Sequence, residues 1–516
     1  MSKSELRIQY SGLIIFAAQL VSVVTGLVFI LLLTRNMSPS QYGVWGNISD
    51  VTGYFLLLSG FIPFWALRFV ARGEEGATKT AFVANLIVAV ASAAVYIPIA
   101  PLIAASLRVT EASVYVLASG QIVTTYAVNT LESCLRAKRP QAIGYGLLLE
   151  EAVKLSLAYL FILRLHQNVL IGAMLSLILA AAFQTLFYLK LFSKELRQKV
   201  QWSYVREWLK GSTALIYNAV GIQLGNFVLI LLLIYGTQSG RGDYLAATTF
   251  ATIIGYSSSL AFALYPKLLA QNSLKEITAS LKTVLMFALP LVAIVISMSP
   301  SLLTVLKVVV GKNGMVSFPY RAAWPVLIVL SIDALISLLS TFYTNVVYGI
   351  EKLDEEAKIP LRKLFKSKMF KLLTLPYIQA AIILPTTLYI LGQFANGQDV
   401  RAATYVAIII AVSHAILFLL TYLIMGTSVR IVVPWGSIGK YVFASSVTAV
   451  LLYVLPHPAT LGLTIATAIL GAAVYSAIAL AIDRDARILV RSILQELGLI
   501  PKPIGQSSTK PARHEK

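Results

Sequence analysis

Five ionisable side chains lie deep inside apolar runs, where a charge has to be paired, hydrated or functional. Glu150, Glu151 and Lys154 fall within one run. Spacings of four and three put both acids beside the lysine on one helix face. Lys154 is about 13 residues from the start of its run, roughly 20 Å into a membrane at 1.5 Å per residue. The cluster reads in two ways, as a self-neutralising ion pair or as a cation that meets an anionic substrate. Asp333 and His414 are comparably deep in two later runs. An acid and an imidazole at that depth are candidates for ion coupling. For His414, a neutral ring bonded to a neighbouring helix is the favoured reading. Asp50 and Arg68 sit near opposite ends of a second run, and Arg35 closes the first.

Amides form a second polar set. One run carries Gln19, Ser22 and Thr25 at helical spacing, and a later one carries Asn218, Gln223 and Asn226. Such residues either glue helices together or line a wet cavity. The candidate substrate-contacting set is therefore Arg35, Asp50, Arg68, Glu150, Glu151, Lys154, Asn218, Gln223 and Asn226. Asp333 and His414 are the ion-coupling candidates.

The elements that carry these residues are set by composition. The chain of 516 residues is 58% hydrophobic and 12% charged, about half the charge of a soluble domain. Fourteen apolar segments long enough to span a bilayer begin near Ser11, Ile48, Ala81, Ala112, Gln141, Asn168, Ser212, Tyr244, Leu281, Arg321, Lys371, Ala402, Lys440 and Leu461. Lipid satisfies no backbone hydrogen bonds, and the runs are too continuous for barrel strands, so helices are expected. The first run is too long for a signal peptide and has no small-residue cleavage site, so it reads as a retained helix.

A net charge of +20 suggests positive cytoplasmic loops rather than nucleic-acid binding. With both termini placed in the cytoplasm, 33 of the 42 Lys and Arg residues fall on the inner side and eight on the outer. That bias supports an even number of spans in the cell membrane. The single cysteine, Cys134, excludes an internal disulfide and a thiolate metal cluster.

The chain repeats itself. "LVFILLL" from Leu27 aligns with "FVLILLL" from Phe227, Tyr42 with Tyr244, Pro63 with Pro266, and "NTLESCLRAKRP" from Asn129 with "NVVYGIEKLDEE" from Asn345. The expected architecture is all-α: two parallel six-helix bundles, 1–190 and 212–425, joined by a basic amphipathic linker, 191–211. An additional helix pair, 426–482, and a cytoplasmic tail, 483–516, complete it. Parallel repeats with polar residues between them suit alternating access. In the linker, Leu196, Val200 and Trp208 stand at rough helical spacing among basic residues, as on a membrane surface. The end, "PKPIGQSSTKPARHEK", reads as disordered.

"LTRNMSPSQYGVW", followed by "GFIPFWALRFVARGEE", resembles the start of polysaccharide-biosynthesis flippases of the multidrug/oligosaccharidyl-lipid/polysaccharide exporter superfamily. Arg35, Pro39, Tyr42, Gly43, Pro63 and Arg68 occupy the positions of that pattern. "LESCLRAKRP", "YPKLLAQ", "YGIEKLDEE" and "AIDRDARILV" are similar to further landmarks, so the resemblance covers most of the chain. It implies translocation of a lipid-linked oligosaccharide or polysaccharide precursor from the cytoplasmic to the outer leaflet, through a cationic cavity that takes the phosphate-sugar headgroup. Lys154, Arg68 and Arg35 are the cations at hand, although two acids adjoin Lys154.

The runner-up is a cation-coupled multidrug antiporter of the same superfamily, centred on Asp333 or on the Glu150/Glu151 pair. An enzyme is not expected, because no metal-ligand spacing appears and "GSIGK" lacks the spacer of a phosphate loop. The implied partners are a lipid-linked glycan, membrane lipids and glycan-assembly enzymes, with no nucleic acid and a monomeric state. No cofactor is expected beyond a transported H+ or Na+.

Overall fold

The computed structural model describes residues 3–107, 109, 112–258, 274–311, 313, 315–351, 367–394, 397–426 and 433–496. Several expectations lie outside them: Pro266 and the "YPKLLAQ" segment, most of the basic stretch between Lys352 and Lys371, and the terminal "PKPIGQSSTKPARHEK". The protein is an all-α, multi-pass membrane protein. All fourteen apolar segments are helical, and ten of the described helices are long and apolar enough to cross a membrane.

The first half comprises α1 (Lys3–Asn36), α2 (Pro39–Phe55), α3 (Phe61–Ala71), α4 (Ala77–Ser106), α5 (Ala112–Lys138), α6 (Gln141–Ala158) and α7 (Val169–Leu191). A linker follows, with a short turn at Glu195–Arg197 and α8 (Trp202–Gly211). The second half comprises α9 (Thr213–Gly236), α10 (Gln238–Gly255), α11 (Leu274–Ser297), α12 (Ser299–Leu306), α13 (Trp324–Glu351), α14 (Lys368–Phe394) and α15 (Asp399–Gly426). A two-residue hairpin, Val309–Val310 with Val316–Ser317, separates α12 from α13. Last come α16 (Trp435–Val454), α17 (Leu461–Ile482) and α18 (Arg484–Glu496).

Packing repeats between the halves. α1 packs on α6 as α9 packs on α14; α6 meets α7 as α14 meets α15; α5 meets α7 as α13 meets α15; α4 meets α5 as α11 meets α13. The seam between the halves is α2 against α10, with α9 beside them. α16 docks on α11 and carries α17. The end of the molecule with the α1–α2 and α9–α10 turns is called the hairpin end; the opposite one, with α8, is the linker end.

Hydropathy misplaces several helix starts, and for two of them the reason is capping. The second helix begins at Pro39 rather than near Ile48. Ser38 and Gln41 form a reciprocal capping box and Pro39 takes the first turn, where its missing N–H costs nothing. The eighth begins at Gln238 rather than near Tyr244, with the Thr237 hydroxyl accepting from the Gly240 amide. Thr237 holds φ at 97°, strained for a residue with a side chain, and its hydroxyl also donates to Asp399 at 2.5 Å. The second run is not one rod, since the chain turns at residues 56–60 between α2 and α3.

No Cβ fits at Gly43, which lies against the Gln238 carbonyl, or at Gly242, which lies against the Pro39 carbonyl. The two hairpins therefore touch backbone to backbone, and only glycine permits that approach.

The linker differs in detail from its expected face. Trp208 is buried at 1% exposure with its ring 5.4 Å from that of Phe69. Leu196 lies in the short turn before α8, and Val200 precedes the helix. The exposed apolar residues of α8 are Trp202 and Leu209.

Candidate functional site

In the first half, α6 presents Lys154 to both neighbouring acids. Its Nζ lies 2.7 Å from Glu151 and 3.7 Å from Glu150. Glu151 is 3% exposed and is held from a second helix as well: Ser22 and Thr25 of α1 each donate a hydroxyl to it at 2.6 Å. The Phe29 ring stands 5.8 Å from the ammonium. Lys154 is thus engaged by carboxylates, not open to an incoming phosphate. The site is a buried, hydrogen-bonded ion cluster that fastens α6 to α1.

In the second half, Asp333 of α13 and His414 of α15 meet across the helix interface, Oδ1 to Nδ1, at 2.6 Å. Ser337 Oγ stands 3.1 Å from the same ring nitrogen. Asp333 therefore has a partner 81 residues away in the sequence. Asp333, but not His414, lines a cavity of about 320 Å³ between α10 and α13, with Tyr244, Thr248, Thr252, Ser337 and Thr341 among its other walls. A carboxylate and hydroxyls around a small cavity, with an imidazole bonded to that carboxylate, suit a proton or a small hydrated cation, not a bulky anion.

Asp50 is likewise not an open cavity residue. Arg241 of α10 grips it with two nitrogens, at 2.9 and 2.8 Å. Arg241 is buried within a helix, and with Asp50 it forms a bidentate tie across the seam between the halves. Ser40 adds a hydrogen bond to Gln238 at 2.6 Å, and the Tyr54 hydroxyl donates to the Gln223 carbonyl at 3.0 Å. Gln223 also abuts Gly53, which puts it in the seam. Asn226 is exposed and donates to Gln223 at 3.2 Å. Asn218 is half-buried, nearer the linker end of α9.

Arg68 is half-buried on α3, donates to the Phe64 carbonyl at 3.1 Å and lies 3.7 Å over the Phe64 ring. Arg35 is brought together with none of the others. It is exposed at the hairpin end, facing a separate cavity formed with α12 and the start of α17. The nine substrate candidates are consequently divided among a closed ion cluster, the seam, two asparagines of α9 and two peripheral arginines.

The sequence reading missed two groups. Glu132 of α5 accepts from Tyr188 at 3.1 Å and Gln184 at 3.3 Å, both on α7. Asp243 of α10 is only 5% exposed. A lone acid inside an apolar run was the available signal for Glu132. For the Asp50–Arg241 tie it was a pair of opposite charges on the repeat-related helices α2 and α10.

The fold is that of the MOP-superfamily transporters. A lipid II flippase, MurJ, in an inward closed conformation superposes with a TM-score of 0.67 over 92% of this chain and 99% of its own, at 13% identity. An inward-facing multidrug-resistance transporter of the MATE family gives 0.59 over 79% and 94%, also at 13% identity. A MOP-superfamily transporter from Pyrococcus furiosus, described as having a binding pocket of reversed polarity, gives 0.54 over 82% and 94%, at 14% identity. No family model matches the chain, and no curated protein matches its sequence.

Proposed function

We propose that the protein is a flippase that carries a lipid-linked oligosaccharide or polysaccharide precursor from the cytoplasmic to the outer leaflet of the cell membrane by alternating access. One observation carries the transport reading. Asn226 is exposed about 13 residues into α9, roughly 20 Å along its axis, and Gln19 is exposed on the equivalent helix α1. An amide in hydrocarbon is costly, so the exposure of these side chains supports a hydrated path along α1 and α9. The positive linker end is the cytoplasmic side by charge bias, with both termini there. The hairpin end, tied by Asp50 and Arg241, is then the closed outer side.

The flippase reading is favoured over drug antiport by α16 and α17. They are integral to the structure through α11, and the likeness to the lipid flippase extends over 92% of the chain against 79% for the drug transporter. The lipid tail needs only bilayer, whereas the headgroup phosphate needs a cation. With Lys154 held by its acids, Arg68 near the linker-end mouth and the amides of α9 are the first contacts for an entering headgroup. Asp333 and His414 couple the cycle to H+ or Na+. The glycan-assembly enzymes deliver the substrate, and the monomer suffices for transport.

The antiporter reading keeps one specific support, the cavity lined by Asp333. Reconstitution separates the two. A fluorescent polyprenyl-diphosphate-linked sugar in proteoliposomes should become accessible to a membrane-impermeant quencher only when active protein is present. Uptake of cationic dyes under an imposed ion gradient, without sugar-lipid flipping, would reverse the assignment.

A further inference from the structure

Arg35 is left out of the seam and the ion cluster, yet it does not simply face open solvent. It forms one wall of a cavity of about 420 Å³ at the hairpin end. The other walls are Val305 of α12, Val308 just after it, and Ala459, Thr460 and Leu461 where α17 begins. No carboxylate lies within ion-pair distance of Arg35 among the described residues. Thr460 occupies the N-cap position of α17 but makes no side-chain cap hydrogen bond. One uncommitted cation and one uncommitted hydroxyl therefore converge on a concave space whose remaining lining is apolar. Beyond it, α17 exposes Leu463, Ile465, Ile469 and Leu470.

We propose that this cavity binds the phosphate of a lipid whose chain lies along α17. The guanidinium matches a phosphate in geometry and charge. The threonine hydroxyl supplies one further donor, and the first N–H groups of α17 add favourable polarity. Arg35 is the penultimate residue of α1, which sets it at headgroup level, where a basic side chain and a lipid phosphate meet without burying either charge. The apolar walls and the exposed apolar surface of α17 argue for a lipid over free phosphate. The site gives the additional helix pair a ligand of its own. It does not depend on the transported molecule being a lipid, so it stands or falls apart from the flippase reading.

The test uses the full chain in neutral detergent, with binding read by native mass spectrometry. The probes are dioctanoyl phosphatidic acid, dioctanoylglycerol and inorganic phosphate. Phosphatidic acid should bind, the uncharged diacylglycerol far less, and phosphate alone far less. Arg35→Ala should weaken phosphatidic acid about tenfold, equivalent to about 1.4 kcal/mol. Arg35→Lys should keep part of the affinity, and Thr460→Val should lose less than Arg35→Ala. Arg401→Ala, at an exposed arginine bonded to Tyr405, should change nothing. Unchanged binding in Arg35→Ala, an equal loss in Arg401→Ala, or equal affinity for diacylglycerol or inorganic phosphate would each overturn the proposal. If Arg35→Ala does not fold, Arg35→Lys and Thr460→Val decide it by the same criterion.

Discussion

The two halves share a packing plan but use buried charge in opposite ways. In the first, Glu150, Glu151 and Lys154 sit on one turn of α6, and α1 completes the shell with Ser22 and Thr25. The ammonium is engaged by both carboxylates, and the cluster acts as an inter-helix fastener. In the second, Asp333 and His414 come from different helices, and a cavity opens beside them. Repeated architecture therefore does not imply repeated chemistry. A bundle can keep a charge at depth either by closing a polar shell around it or by giving it access to water.

Breaking the first half's cluster should have the largest effect. Lys154→Gln strands Glu151 in a buried site and should cost about 3–5 kcal/mol of stability, read as a lowered melting temperature in detergent. Adding Glu150→Gln and Glu151→Gln removes the stranded charges and should restore most of that loss. A single variant that melts like the parent would show that the cluster is not a fastener.

The second half should respond in function, not in folding. Asp333→Asn keeps the size of the side chain and a hydrogen bond to His414, so melting should change little. Ion-driven transport should fall about tenfold or more, in line with losing one charged hydrogen bond worth about 1.5 kcal/mol or more. Equal damage to stability in Asp333→Asn and Lys154→Gln would erase the distinction between the halves.

The seam that joins them should give an intermediate response. A short bis-maleimide cross-link between Ser40→Cys and Gln238→Cys reports the closed hairpin end, because those two positions face each other across the seam. Asp50→Asn weakens the tie to Arg241, and a change of about 1 kcal/mol should lower cross-linking about fivefold. Gly43→Ala should lower it too, by forcing the Gln238 carbonyl away.

The smallest effect belongs to the tail, which has no counterpart in the first half. Burial pushes the Asp483 carboxyl up, but the Tyr441 hydroxyl, the Ala486 N–H and Lys440 outweigh it and hold it below its ordinary value. A carboxyl depressed by folding stabilises the docked form above its ordinary pKa and loses that contribution as pH falls through the folded value. Docking of α18 should therefore be constant near neutrality and weaken only below about pH 4. Hydrogen exchange across Arg484–Glu496 would show it; release that begins at neutral pH would contradict the assignment.

Much of this architecture was legible in the chain alone. Hydropathy located the fourteen helical segments, because the bilayer demands long apolar runs whatever their neighbours. The doubled hairpin announced the repeat that the helix packing shows. The Glu150–Glu151–Lys154 contacts were legible too, since spacings of three and four make helical neighbours before any tertiary contact forms. Hydropathy misplaced the starts of α2 and α10 because capping depends on polar residues such as Ser38 and Thr237, to which an apolar window is blind.

What only the tertiary structure decided is which distant residues share a site. Helical periodicity reports on a face, not on what packs against it. Asp333 and His414 are 81 residues apart, and Asp50 and Arg241 are 191 apart; no local spacing relates either pair. Nor could the sequence separate Arg35 from Arg68 and Lys154, because a basic residue at a helix end looks alike whether it faces a seam or a surface cavity. Those assignments follow from how rigid helices dock, a matter of side-chain shape summed over every contact and written at no single position.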